Sequence, residues 1–75
     1  MLEDMRTLFA ETLGRPMPPF TPGLAFAALP GWDSVAHLAL LLAVERRMGV
    51  AFTAAEMVSM QTVGDLMAAV EAHRA

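Results

Sequence analysis

An acid, a hydroxyl and an imidazole lie within about one helical turn of each other, at Asp33, Ser34 and His37. These are the residue types of a serine-hydrolase triad, in which an oriented base activates the hydroxyl. A triad also needs oxyanion donors inside a cleft, and three residues in one turn of so short a chain provide no cleft. We therefore do not expect hydrolysis, and we expect His37 to pack against the preceding loop or to bond to its backbone.

Two other uses of the Asp33-Ser34 pair follow from its position, where a loop rich in proline and glycine ends and a helix begins. Asp and Ser are both favoured as helix N-caps, at about 1 kcal/mol each. A phosphoryl group esterified to Ser34 would instead lie at the positive end of the helix, beside free backbone N–H groups. The residues alone leave capping and modification open.

Composition excludes several classes of function. The chain has 75 residues, no cysteine, no lysine, five arginines and a net charge of −3. It therefore has no disulfide, thiolate nucleophile, zinc–cysteine site or Schiff-base lysine. A negative chain without a basic cluster is not expected to bind nucleic acid. With only His37 and His73 as histidines, we also expect no transition-metal site.

The chain is expected to form a single domain, residues 1–75, too small for a substrate cavity walled by a second domain. Its longest apolar run is the seven residues from Leu38 to Val44, whereas a membrane span needs roughly 20. Its acidic, amphipathic start does not resemble an export signal. We expect a cytoplasmic, monomeric protein with no membrane span.

The first half of the chain predicts one helix and a long connection. Apolar residues at helical spacing indicate a helix over residues 2–13. Residues 14–32 contain all five prolines, which forbid a continuous helix. Their apolar side chains predict that this connection is packed against the core, with one helical turn after Thr21-Pro22.

The second half predicts three helices. Residues 33–48 contain no glycine or proline and are rich in alanine and leucine. Thr53 and Glu56 fit a capping box that opens a short helix through about Met60, and Thr62 fits the cap of a last helix. The predicted fold is all-α: a small four-helix bundle of three main helices and one short helix, with a long first loop.

The helix at 33–48 carries more apolar residues than one buried stripe needs. One set suits the core: Leu40, Leu41, Val44 and Met48. A second set falls on a different side and is expected to stay partly exposed: Val35, Ala39 and Leu42. Exposed apolar patches often mark docking surfaces, although Val35 and Leu42 could instead pack under the long loop.

Other polar and sulfur-containing residues have simpler expected roles. Glu45 and Glu56 are expected to be solvated, and His73 and Arg74 to favour the negative pole of the last helix. Four methionines could line an adaptable space for an acyl chain, although ordinary core filling is the simpler expectation. They are Met48, Met57, Met60 and Met67.

The segment Gly31-Trp32-Asp33-Ser34-Val35, followed by Leu38, Leu41 and Val44, resembles the Asp-Ser signature of acyl carrier proteins. The resemblance extends over nearly the whole chain, through helix one, the long loop and the Thr62-Val63-Gly64-Asp65-Leu66 start of the last helix. It implies that Ser34 carries a 4′-phosphopantetheine arm donated by coenzyme A. The protein would then be no enzyme but an acyl or aminoacyl carrier, holding thioester-linked intermediates in lipid, polyketide or related secondary biosynthesis.

The resemblance also implies a set of partners. They are a magnesium-dependent phosphopantetheinyl transferase, an acyl- or aminoacyl-activating ligase, and downstream transfer or condensing enzymes. The second helix, at residues 33–48, and the short third helix that opens at Thr53 would face them. The implied partner-binding residues are Asp33, Val35, Ala39, Leu42 and Met57, with Asp33 read by the transferase as well as capping the helix.

The sequence departs from the family in the charge of helix two. Many acyl carrier proteins line this helix with acidic residues, whereas here positions 36 and 39 are alanines and Arg46-Arg47 follow Glu45. We therefore expect docking through apolar contact that tolerates salt. The alternative function is that of an unmodified helical adaptor, in which Ser34 is only a cap and the helix-two patch binds a partner helix.

Overall fold

Four α-helices make up the fold in the computed structural model, which describes residues 1–74. They are α1 (Leu2–Leu13), α2 (Ser34–Met48), α3 (Ala54–Ser59) and α4 (Val63–Arg74). The predicted all-α fold of three main helices, one short helix and a long first loop is confirmed. Within residues 1–74, no helix combines the length and the apolar character that crossing a bilayer requires.

The two long N-terminal helices end as their sequences predict. Gly14 and Gly49 follow α1 and α2 with φ of 69° and 68°, the left-handed conformation that glycine adopts without strain. The Gly14 N–H donates to the Ala10 carbonyl, and the Gly49 N–H donates to the Glu45 carbonyl, each at 2.9 Å. These caps satisfy carbonyls that would otherwise lack partners.

Side chains cap both C-terminal helices. The Thr53 N–H donates to the Glu56 carboxylate at 2.8 Å, and the Glu56 N–H donates to the Thr53 hydroxyl at 3.1 Å, which completes the predicted capping box. At α4, the Asp65 N–H donates to the Thr62 hydroxyl at 3.0 Å. The Asp65 carboxylate in turn accepts from the N–H groups of Gln61 and Thr62.

The long connection differs from the prediction in one detail. Thr21 and Pro22 begin a tight turn, closed by the Leu24 N–H donating to the Thr21 carbonyl at 3.0 Å. The helical turn comes later, as a 3₁₀ turn at Phe26–Ala28. The 3₁₀ turn lies there because Phe26, its first residue, is buried in the core directly after the tight turn.

Backbone hydrogen bonds pin this connection to the start of α4. The Phe26 N–H donates to the Gln61 carbonyl at 2.9 Å, and the Val63 N–H donates to the Leu24 carbonyl at 3.0 Å. The Gly64 N–H donates to the Pro22 carbonyl at 2.7 Å. A loop of this length therefore stays ordered because its backbone is paired as well as its side chains buried.

The core lies between the faces of α1, α2 and α4 and is closed by the connection. Phe9 packs edge-on against Phe20 with ring centroids 5.0 Å apart, and against Phe26 at 5.9 Å. The predicted core positions Leu40, Leu41 and Val44 are fully buried. Met60 is also buried, whereas three methionines pack against the core while partly exposed: Met48, Met57 and Met67. The methionines thus fill core space in this structure.

Candidate functional site

Asp33 is the N-cap of α2. It is extended, with φ of −147°, and its Oδ1 accepts from the Ala36 N–H at 2.8 Å. Its carbonyl accepts the first bond of the helix, from the His37 N–H at 3.0 Å. Ser34 is the first helical residue and is exposed. The structure therefore confirms capping at this junction and assigns the cap to Asp33, not to Ser34.

The loop before α2 delivers Ser34 to the positive end of that helix. Gly31 has φ of 73°, and the Trp32 N–H donates to the Leu29 carbonyl at 3.2 Å, so the chain turns sharply just before the cap. The N–H groups of Ser34 and Val35 are in the first turn, where a helix offers them no acceptor. The hydroxyl thus lies beside unpaired donors and a positive dipole end.

A surface depression of about 490 Å³ adjoins this hydroxyl, lined by Trp32, Asp33, Ser34, His37 and Val58. The rings of Trp32 and His37 meet edge-on, with centroids 5.5 Å apart. Val58 of α3 is 83% exposed. The hydroxyl therefore faces an open, largely apolar surface that can accommodate a flexible group.

His37 joins the loop, α2 and α3. Its ring packs edge-on against Phe26 at 5.5 Å, which confirms the predicted packing against the loop. Its Nε2 lies 2.7 Å from the Met57 carbonyl oxygen, so the bond goes to α3 and not to the loop backbone. Because a carbonyl only accepts, this geometry requires the proton on Nε2.

Asp33, Ser34 and His37 do not form the arrangement of a hydrolase triad. The Nε2 of His37 is engaged by Met57, and Oδ1 of Asp33 is engaged by the Ala36 N–H. Neither the base nor the acid is therefore arranged to activate Ser34. Within residues 1–74, no group of three or more His, Asp or Glu side chains is placed to hold a metal ion.

The outward face of α2 is apolar and open to solvent. Val35 is 77% exposed and Leu42 is 42% exposed, and Ala39 between them is exposed as well. The predicted exposure of these three residues is confirmed, and burial of Val35 and Leu42 under the loop is wrong. Leu38, 50% exposed, belongs to the same face, and its i+3 spacing from Val35 was a signal that could have found it.

On α3 the exposed apolar residue beside Ser34 is Val58. Met57, predicted to bind partners, has a partly buried side chain that packs against the core, and its carbonyl oxygen lies against His37. A helix of six residues is too short for periodicity to separate these neighbours. Val58 was therefore not identifiable from the sequence.

Glu45 and Glu56 are partly exposed, and each also accepts a backbone hydrogen bond. Glu45 accepts from the Phe52 N–H at 2.7 Å and so holds the chain after α2. Glu56 accepts from the Thr53 N–H and lies 2.9 Å from the Nε2 of His73. The pKa of Glu56 is lowered, most of all by the hydrogen bond from the Thr53 N–H and next by the one from His73, because both bonds stabilise the charged carboxylate.

Taken together, the fold and the exposed hydroxyl define a small helical carrier domain. Residues 3–70 match the family model described as a phosphopantetheine attachment site. The chain belongs to this family, its resemblance to acyl carrier proteins is confirmed, and phosphopantetheine is its prosthetic group.

Two relatives are each 50% identical to this chain over 42 residues: acyl carrier proteins MbtL of Mycolicibacterium paratuberculosis and of Mycobacterium sp.. Each match covers 56% of this chain and 47% of the relative, so the chain spans about half the length of the relatives that it matches. The solution structure of a holo acyl carrier protein from Geobacter metallireducens has a TM-score of 0.86 at 22% identity. That match covers 97% of this chain and 84% of the other. This likeness shows a shared fold.

Proposed function

We propose that this protein is an acyl or aminoacyl carrier that bears its 4′-phosphopantetheine arm on Ser34, and that it is not a catalyst. One observation carries the assignment to Ser34. Its hydroxyl is exposed at the first residue of α2 while Asp33 supplies the cap, so modification of Ser34 costs the helix no hydrogen bond. The name "acyl carrier protein" of its relatives supports an acyl cargo.

The residues around Ser34 fit the phosphate of such an arm. The N–H groups of Ser34 and Val35 and the positive end of α2 favour an anion at this position. The adjoining depression between Trp32, His37 and Val58 leaves room beside the hydroxyl. When bound, the arm supplies a terminal thiol for thioester formation, a group that a chain without cysteine lacks.

Coenzyme A donates the phosphopantetheine arm to Ser34. Ser34 Oγ loses its proton to a base of the transferase and forms a phosphoester bond. The diphosphate bond of coenzyme A breaks, and adenosine 3′,5′-bisphosphate leaves. Magnesium on the transferase would balance the charge of the diphosphate.

The partners are those that such a carrier serves: the transferase, an activating ligase, and downstream transfer or condensing enzymes. The exposed apolar side chains near Ser34 support a docking surface that includes Val35, Ala39 and Leu42 of α2. Because the cargo must be handed on, we infer a reversible interface below about 1,200 Å² with micromolar affinity. We place the protein in the cytoplasm, as a monomer.

Intact mass spectrometry tests this function. The protein is incubated with coenzyme A, magnesium and a broad-specificity phosphopantetheinyl transferase, alongside Ser34→Ala and Ser59→Ala. Ser34 and Ser59 are the two serines of the chain, so Ser59→Ala is a matched control. One phosphopantetheine adduct is expected on the wild type and on Ser59→Ala, and none on Ser34→Ala.

The same experiment addresses the alternative adaptor function. The apolar face of α2 could by itself bind a partner helix without any modification. An unchanged mass of the wild type would favour the adaptor and overturn the carrier assignment. An adduct on Ser34→Ala would place the arm on another residue.

A further inference from the structure

His37 lies one helical turn after Ser34, on the same side of α2. Residues three apart on a helix have Cβ atoms about 5–6 Å apart, and helical side chains lean toward the N-terminus, which here is toward Ser34. Both residues line the depression beside the Ser34 hydroxyl. The His37 ring therefore lies close enough to bond to a phosphoryl group esterified to Ser34.

The two nitrogens of the His37 ring have different surroundings. Nε2 lies 2.7 Å from the Met57 carbonyl oxygen and so carries a proton. Nδ1 has no hydrogen-bond partner among residues 1–74, where every buried side-chain nitrogen or oxygen has one, so Nδ1 is open to solvent. In the neutral ring Nδ1 only accepts, whereas the protonated ring donates from both nitrogens.

The charged groups around His37 are the same before and after the arm is attached. Asp33 lines the same depression and caps α2 through Oδ1. On α3, Glu56 contacts His73. A phosphate on Ser34 is therefore the one new charge near the ring. The other side chains that line the two depressions around His37 are uncharged: Ala25, Phe26, Ala27, Trp32, Val58, Met60 and Gln61.

We propose that the protonated His37 ring donates from Nδ1 to the phosphodiester on Ser34 and from Nε2 to the Met57 carbonyl, and so couples the arm to α3. The proposal rests on the proposed attachment of the arm to Ser34. A phosphodiester is an anion throughout the pH range in which histidine titrates, so it favours the protonated ring. His37 is in this sense a positioning residue for the arm.

The coupling acts on a helix that the core holds weakly. None of the six residues of α3, all within the described chain, is buried. Val58 of α3 lines the depression into which the arm leads. Because coupling is reciprocal, a bond that holds the arm to His37 also strengthens the hold of His37 on α3. The carrier with its arm would thus present a more ordered α3 than the bare carrier.

NMR titration of the two imidazole rings tests the proposal. The apo-protein and the holo-protein, whose intact mass shows one complete adduct, are followed from about pH 5 to 8 at about 0.1 M salt. Because His37→Phe lacks one set of ring signals, it assigns the two histidines. We expect the midpoint of the His37 titration to lie about half a pH unit higher in the holo-protein.

His73 is the internal control for this titration. Its ring packs against Phe52, whose N–H donates to Glu45, about 16 Å along α2 from Ser34 at a rise of 1.5 Å per residue. That separation exceeds the screening length of about 10 Å at this salt concentration. The His73 midpoint should therefore move by less than about 0.1 pH unit when the arm is attached.

Amide exchange at Met57 and Met60 gives a second measurement, because both N–H groups bond within α3. Attachment of the arm should slow their exchange about threefold, the factor that half a pH unit represents. This protection belongs to the protonated ring. It is therefore expected in full below about pH 6 and is lost as the pH rises through the midpoint measured for the holo-protein. His37→Phe should show no difference between its apo and holo forms.

Each outcome bears either on the coupling or on the function beneath it. An unchanged His37 midpoint in the holo-protein, or equal shifts at His37 and His73, would overturn the proposal and leave the attachment of the arm intact. Equal slowing of exchange in the wild type and in His37→Phe would also overturn it. A wild type that acquires no adduct would overturn the proposed function together with the coupling. If His37→Phe does not fold, the two wild-type titrations decide alone.

Discussion

The Nε2 atom of His37 lies 2.7 Å from the carbonyl oxygen of Met57, and this hydrogen bond ties α2 to α3 beside Ser34. None of the six residues of α3, all within the described part of the chain, is buried. On the other side of α3, His73 of α4 contacts the Glu56 carboxylate at 2.9 Å. Two histidines from neighbouring helices therefore hold a helix that contributes little to the core.

Replacing His37 by phenylalanine should loosen α3. The new ring can keep the packing against Phe26 and Trp32 but cannot donate to Met57. We expect a loss of about 1 kcal/mol in the free energy of unfolding, measured by urea denaturation. Amide exchange at Met57 and Met60 should accelerate, because both N–H groups bond within α3. Wild-type exchange rates in His37→Phe would show that this bond does not hold α3.

Gly64 is expected to tolerate no side chain. A Cβ at this position would lie 2.9 Å from the Pro22 carbonyl oxygen, which already accepts from the Gly64 N–H. Gly64→Ala should therefore cost about 1–2 kcal/mol, although alanine favours helices. Gly23→Ala is the matched control, since a Cβ there meets nothing within 4 Å. Equal urea midpoints for the two variants would contradict this expectation.

The sequence was informative where structure is decided locally. The caps at Thr53 and Thr62 and the glycine after α2 depend on residues a few positions apart, and all were predicted correctly. The exposure of Val35 and Leu42 also followed from helical spacing. Family resemblance, not spacing, singled out Ser34 as the residue for modification.

The contacts that the sequence did not reveal are those between distant residues. Gly64 bonds to Pro22 and His37 to Met57, and nothing in either local pattern indicates its partner. The late position of the helical turn at Phe26–Ala28 likewise depends on pairing with residues near the start of α4. Tertiary packing decides these features, so local patterns miss them.

Acid should destabilise the protein through two capping carboxylates. The Glu56 carboxylate accepts from the Thr53 N–H, and the Asp65 carboxylate accepts from the Gln61 N–H. Each of these bonds lowers the pKa of the carboxyl that accepts it. A lowered pKa means that the folded state binds protons less readily than the unfolded state. The stabilisation is therefore complete above the ordinary pKa and is lost as the pH falls through the lowered one, from about pH 5 downward.

The Glu56→Gln, Asp65→Asn double variant checks this pH dependence. Its urea midpoint should fall less between neutral and acidic pH than that of the wild type, because the groups that protonate are gone. Glu11→Gln, on the exposed side of α1, is the control and should keep the wild-type dependence. An unchanged slope in the double variant would assign acid sensitivity to other carboxylates.

Asp33 offers a way to separate helix capping from recognition by the transferase. Asn caps about as well as Asp, so Asp33→Asn should keep the bond from the Ala36 N–H and nearly all the stability. Asp33→Ala should lose about 1 kcal/mol in the free energy of unfolding. If the transferase recognises the Asp33 carboxylate, it should modify Ser34 about tenfold more slowly in both variants. The rate is measured as kcat/KM from time courses of intact mass. Slow modification of Asp33→Ala with wild-type kinetics for Asp33→Asn would show instead that the transferase needs the capped start of α2 and not its charge.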